Sequence, residues 1–101
     1  MDHFYINTKY LLTGQSAPFT GEFVNVAKAR NACFTVFSSG NGSVSLEYKS
    51  PFFQNQGVSF YSFTGLSTGH ATPVYLTTPI EEVRAIANGT GNFWVAATIQ
   101  N

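Results

Sequence analysis

Short runs rich in Val, Phe, Tyr and Thr alternate along this chain with clusters of Gly, Asn, Ser and Pro, and no long stretch keeps a helical period. Read with the period of two that a strand imposes, the pattern predicts about eight strands, over residues 4–12, 21–26, 32–38, 43–49, 58–64, 73–77, 82–87 and 93–99. The strand over 43–49 sets Val44, Leu46 and Tyr48 on one side and Ser43, Ser45, Glu47 and Lys49 on the other, one dry face and one wet. The strand over 32–38 is apolar on both sides, with Phe34 and Val36 against Cys33, Thr35 and Phe37, and is therefore expected to be central or covered twice. Ser39-Gly40-Asn41-Gly42 and Asn88-Gly89-Thr90-Gly91 each join two such runs, and their Asn-Gly steps suit the positive φ angles of tight hairpin turns, so both are predicted to be hairpins. Glu81 to Ile86 is the most ambiguous segment: Pro79-Ile80-Glu81-Glu82 suits the opening turn of a helix, while the turn and β run that follow favour a strand.

Eight short strands at this spacing predict an all-β fold, a single antiparallel β-sandwich (jelly-roll-like or Ig-like) or a small barrel. No linker divides the 101 residues, so one domain over 1–101 is expected, with 1–18 either an extended N-terminal strand or an arm laid on a neighbour.

Composition changes the picture through its charges. Only 10% of the residues are charged, against about 25% in an ordinary soluble domain, and five acids balance five bases. A neutral, sparsely charged surface resists association poorly, which favours a chain covered by partners, a homo-oligomer included. The absence of a basic cluster disfavours nucleic acid, and no apolar run reaches the length of a membrane span. No secretion signal is evident at the N-terminus, and Cys33 is the only cysteine, so synthesis in a reducing cytoplasm is expected.

Catalytic chemistry finds little support. The only Asp is Asp2 and the only His residues are His3 and His70, so a nucleophile–base–acid set is lacking. Cys33 with His70 is the sole thiolate pairing to weigh, and a buried strand cysteine beside an unrelated loop histidine is the simpler reading. Adjacent Glu81 and Glu82 would point to opposite faces of a strand, and Glu22 and Glu47 are more simply solvated or paired with Arg30, Lys49 or Arg84. Ligand spacing for zinc or calcium is missing, and no phosphate-loop pattern occurs, so neither a metal nor a cofactor is expected, and no enzyme. The chemistry-bearing side chains are instead the rings: ten Phe, five Tyr and one Trp. Clustered exposed rings mark interfaces, and the candidate interface residues are Phe4, Tyr5 and Tyr10 in the first run, Pro51, Phe52 and Phe53 in a loop, and Tyr61.

Three stretches carry a family likeness: Ala29-Arg30-Asn31-Ala32-Cys33-Phe34-Thr35-Val36, Gly40-Asn41-Gly42-Ser43-Val44-Ser45-Leu46-Glu47-Tyr48, and Val83-Arg84-Ala85-Ile86-Ala87-Asn88-Gly89-Thr90-Gly91. In these the chain resembles the small β-sandwich structural proteins of tailed bacteriophages. Many of those carry an Asp-Gly-Gly turn followed by Trp after the second stretch, where this chain has Ser50-Pro51-Phe52-Phe53-Gln54-Asn55-Gln56-Gly57. The resemblance implies a non-enzymatic virion subunit, a capsid decoration or other head-associated protein, made in the bacterial host cytoplasm. Its partners would be the major capsid protein or neighbouring structural subunits. The alternative is a carbohydrate- or receptor-binding module of a phage tail or fibre, with Tyr61, Tyr75 and Trp94 as ring platforms.

Overall fold

The computed structural model describes residues 6–26, 31–50, 52, 56–76 and 81–100. They form ten strands: β1 (Ile6–Ser16), β2 (Phe19–Thr20), β3 (Val24–Asn25), β4 (Asn31–Ser38), β5 (Gly42–Ser50), β6 (Gln56–Leu66), β7 (Gly69–His70), β8 (Val74–Leu76), β9 (Glu82–Gly89) and β10 (Asn92–Gln100). Two antiparallel five-stranded sheets result. The β1 sheet has the order β1-β10-β4-β7, with β8 also paired to β4; the β6 sheet has the order β2-β9-β5-β6, with β3 also paired to β9. The fold is thus a sandwich rather than a closed barrel.

Alternation decides which side of each strand enters the core. In β4, Ala32, Phe34 and Val36 are buried; in β10, Phe93, Val95, Ala97 and Ile99; in β5, Val44 and Leu46; in β9, Val83, Ala85 and Ala87. The central strand β9 contributes small side chains, and the rings of Phe34 and Phe93 are the largest fully buried groups. In β1, Leu11 and Leu12 are both buried although they are neighbours. A register shift between Tyr10 and Leu12 inserts one extra residue, which lets two consecutive leucines turn inward. The shift at Gly14 that follows allows β1 to run on to Ser16, beyond the expected end at Leu12.

The two Asn-Gly turns are not hairpins. β4 and β5 lie in different sheets, and so do β9 and β10, so each turn is an arch that carries the chain from one layer to the other. Ser16 to Phe19 and Leu66 to Gly69 cross between the sheets in the same way. The four arches line up in one row at one end of the sandwich, because β1, β10, β4 and β7 in one sheet face β2, β9, β5 and β6 in the other.

Neighbouring arches are bonded through their backbones. Ala17 N donates to Gly91 O at 3.0 Å, Thr90 N to Asn41 O at 2.8 Å, and Ser39 N to Asn92 O at 2.9 Å. Side chains complete the row: Asn92 N donates to Ser39 Oγ at 2.9 Å, buried Ser38 Oγ to Ser67 O at 2.8 Å, and Thr68 Oγ1 to Ser39 O at 3.2 Å. The two central arches touch main chain to main chain: a Cβ added at Gly42 would overlap the Asn88 carbonyl oxygen, and one added at Gly89 would overlap that of Asn41. These glycines serve close approach between two arches, a need that a hairpin turn does not have.

Gly42→Ala is therefore expected to destabilise the protein by about 3 kcal/mol, since an overlap with backbone can be relieved only by separating the arches. Gly65→Ala meets no neighbour and should cost about 1 kcal/mol for its positive φ alone. Urea denaturation of the two variants checks this, and equal losses would remove the close-approach role assigned to Gly42.

Candidate interaction surface

The outward side chains of the two sheets differ in kind. On the β6 sheet, Glu47 and Lys49 of β5 sit opposite Arg84 and Glu82 of β9. Arg84 Nη2 lies 2.8 Å and Arg84 Nε 2.9 Å from Glu47 Oε1, and Lys49 Nζ lies 3.3 Å from Glu82 Oε2. Phe23 covers this cluster, with the Arg84 guanidinium 4.6 Å and the Lys49 ammonium 5.6 Å from its ring centre. Four of the chain's ten charged residues are thus spent in two ion pairs on one face.

The outer face of the β1 sheet carries no Asp, Glu, Lys or Arg among the described residues. Its register gives three rows across the strands: Thr8, Thr98, Cys33 and Tyr75; Tyr10, Ala96 and Thr35; Thr13, Trp94, Phe37 and His70. From Trp94 to His70 the third row is a continuous line of rings. Phe37 lies 5.3 Å from Trp94 and 4.8 Å from His70, both pairs tilted by about 60°. The Trp94 indole rests on Gly14, where an added Cβ would lie 2.9 Å from it. Lys9 turns away from this face, and its ammonium donates to Asn25 O of the other sheet at 2.8 Å. Exposure follows position: Tyr75 is 75% exposed, Tyr10 62% and Trp94 37%, while Phe37 is half-buried beneath its neighbours.

Of the predicted interface residues, Tyr10 lies on this face. Tyr61, 42% exposed, is on β6, at the opposite edge of the other sheet, with its ring 5.0 Å from Phe63. Phe52, 90% exposed, lies between β5 and β6, at the end away from the arches. The three do not form one patch. Phe4, Tyr5, Pro51 and Phe53 lie outside the described residues, as do Asp2, His3, Arg30 and the Pro79-Ile80 step. Phe37, Tyr75, Trp94 and His70 complete the face. Their rings were visible in the sequence, but the strand order that aligns them was not.

Each open side of the sandwich holds a groove. One of about 390 Å³ runs along β6, lined by Tyr61, His70 and the hydroxyls of Ser62, Thr64, Ser67, Thr68 and Thr72. The other, of about 350 Å³, lies between β1 and the β2–β3 segment and holds Tyr10, Phe19 and Glu22.

The reactive groups stay apart. Cys33 pairs with Tyr75 and Phe37 with His70, so the thiol and the imidazole are separated by four strand positions, about 13 Å. Glu47 and Glu82 are each engaged by a cation. Among the described residues no three His, Cys, Asp or Glu side chains gather as a metal ion would need. No helix among them is long and apolar enough to cross a membrane.

Rings so exposed contribute little to the fold itself. Tyr75→Ser and Tyr10→Ser should each leave stability within about 0.5 kcal/mol of the parent, whereas Trp94→Ala, which uncovers Phe37 and Gly14, should cost about 2 kcal/mol. Thermal denaturation followed by circular dichroism separates the two cases. A large loss at Tyr75 would mean that this ring belongs to the core.

No protein-family model matches the sequence, and no curated protein matches it. In structure, the chain is similar to SPBc2 prophage-derived protein YomS, whose crystal structure aligns with a TM-score of 0.80 over 100% of this chain and 97% of that one. The two share 11% sequence identity, so the likeness shows the fold alone.

Proposed function

We propose that this protein is a non-enzymatic structural subunit of a tailed-phage particle, a capsid decoration or other head-associated protein, that works by laying the uncharged face of the β1 sheet on a neighbouring virion protein. The observation that carries the phage assignment is the full-length likeness in fold to a prophage-derived protein. It agrees with the resemblance of the three sequence stretches to phage β-sandwich proteins. Fold alone supports no single activity, so the mode of action rests on the surface.

A sheet face that holds Tyr10, Tyr75 and Trp94 and, among the described residues, no formal charge is suited to burial, because covering it desolvates no ion of theirs. Four charged residues, Glu47, Lys49, Glu82 and Arg84, lie on the outer face of the other sheet, where two ion pairs and solvent satisfy them. Such a division suits a subunit with one seated side and one wet side. A single contact of this kind is of modest strength, and repetition over a capsid lattice raises its avidity.

A second reading is favoured by one observation. The groove along β6 combines hydroxyls with Tyr61 and His70, the mixture that a sugar-binding surface uses. On this reading the chain is a carbohydrate- or receptor-binding module of a tail or fibre.

Co-sedimentation with empty shells of the cognate major capsid protein tests the first reading. The protein should bind saturably, and its affinity should change by no more than about twofold as salt is raised, since no ion pair is formed. Replacing both Tyr10 and Tyr75 by Ser should weaken binding by about tenfold or more without unfolding the chain. Failure to bind shells, together with saturable binding to a glycan that Tyr61→Ser abolishes, would replace the first reading by the second.

A further inference from the structure

The described carboxylates fall into two kinds. Glu47 and Glu82 are each held by a cation, whereas Glu22 and Glu81 have no cationic partner among the described residues. Glu81 lines neither of the two grooves. Glu22 lines the one of about 350 Å³ between β1 and the β2–β3 segment, and it is the only charged residue there.

The rest of that groove is apolar and aromatic. Leu11 and Gly21 are buried at its base, Val24 is half-buried, and the rings of Tyr10 and Phe19, 62% and 39% exposed, stand at its mouth. The base is closed by backbone, since a Cβ added at Gly21 would lie 2.9 Å from Leu11 O. The polar groups nearby are already engaged. Gln15 Oε1 accepts from Thr13 N at 2.6 Å, and Gln15 Nε2 donates to Thr13 Oγ1 at 3.1 Å. Lys9, beside Tyr10 in the chain, gives its ammonium to Asn25 O and not to Glu22.

We propose that this groove seats an arginine side chain of a partner protein, its guanidinium paired with the Glu22 carboxylate between Tyr10 and Phe19 and its methylenes laid on Leu11 and Val24. The occupant follows from charge complementarity. An acidic group would be repelled by Glu22, and a neutral one would cover the carboxylate and leave it unpaired. Among cations, rings on both sides favour the flat guanidinium, which stacks on aromatic faces and meets a carboxylate through two nitrogens. Its apolar stem suits a base of Leu and Val. The size agrees, because clefts that hold whole ligands start at roughly 300 Å³. The chain already builds the same trio from its own residues: Arg84 lies 2.8 Å from Glu47 and 4.6 Å from the centre of the Phe23 ring.

The groove opens at the side of the sandwich, so the arginine belongs to a neighbour beside the chain and not to one lying under the β1 face. The inference rests on the groove and is independent of the phage assignment.

Titration of the isotope-labelled chain with N-acetyl-arginine amide, followed by amide NMR spectra, tests it. Saturable shifts are expected at Leu11, Gly21 and Glu22, with a Kd on the order of 10 mM for so small a contact. N-acetyl-citrulline amide, which keeps the shape and lacks the charge, should bind about tenfold more weakly, and Glu22→Gln should weaken arginine binding by about the same factor. Glu22 is exposed, so this variant is expected to fold; if it does not, the citrulline comparison decides. Equal binding of the two probes, binding that Glu22→Gln retains, shifts that cluster away from the groove, or no saturable shift overturns the proposal. A chain with Lys28→Gln and Arg30→Gln identifies the source of the cation. Unchanged arginine binding supports a partner, and binding seen only in this double variant would assign the groove to the chain's own basic residues and overturn it.

Discussion

Four chain crossings meet at one end of this sandwich, and the two central ones approach so closely that neither has room for a side chain at its point of contact. The remaining architecture depends on that meeting. Each arch takes one strand into each sheet, so stacking the arches in a row sets the strand order of both sheets at once. The backbone bonds from Ala17 to Gly91, Thr90 to Asn41 and Ser39 to Asn92 lock the spacing of the row. Buried Ser38, which bridges to Ser67, ties in the fourth arch and has its polar group satisfied in doing so. With the row in place, Phe34, Val36, Phe93 and Val95 of one sheet are held over Val44, Leu46, Val83 and Ala85 of the other, and the core follows from the alternation of each strand.

The strand order also decides what the outside looks like. Trp94 and Phe37 become neighbours only because β10 pairs with β4, and His70 joins them only because β7 takes the next place. The same ordering on the other sheet brings Arg84 to Glu47 and Lys49 to Glu82, beneath Phe23. A chain with few charges has thus used four of them on one face and left the opposite face to rings and hydroxyls. The proposed role as a phage structural subunit draws on this division.

Much of the fold was legible in the sequence, because strands declare themselves through a local period. The dry side of β5 and the doubly apolar character of β4 both followed from alternation, and Glu82 to Gly89 proved to be a strand rather than a helical turn. The Asn-Gly turns were placed correctly and read wrongly. Their local preference is for a tight reversal, and it is silent on whether the chain returns within its sheet or crosses to the other. That choice is made by pairing between β4 and β10 and between β5 and β9, which no short stretch encodes. Two-residue strands such as Phe19–Thr20 have no period to read. The rings of the candidate surface were noted only singly, Tyr10 as an interface residue beside Phe52 and Tyr61, and Tyr75 and Trp94 as sugar platforms beside Tyr61, and the fold sends Tyr61 and Phe52 to sides other than that of Tyr10.

The claim that most needs testing is that one face of the sandwich is seated and the other wet. Hydroxyl-radical footprinting of the chain, free in solution and within an assembled phage particle, addresses it directly, since it reads the accessibility of individual rings. Oxidation of Tyr10, Tyr75 and Trp94 is expected to fall sharply in the particle while that of Phe23, on the charged sheet, is unchanged. Protection of Phe23 with Tyr75 and Trp94 still freely oxidised would contradict it and assign the seated side to the ion-paired sheet.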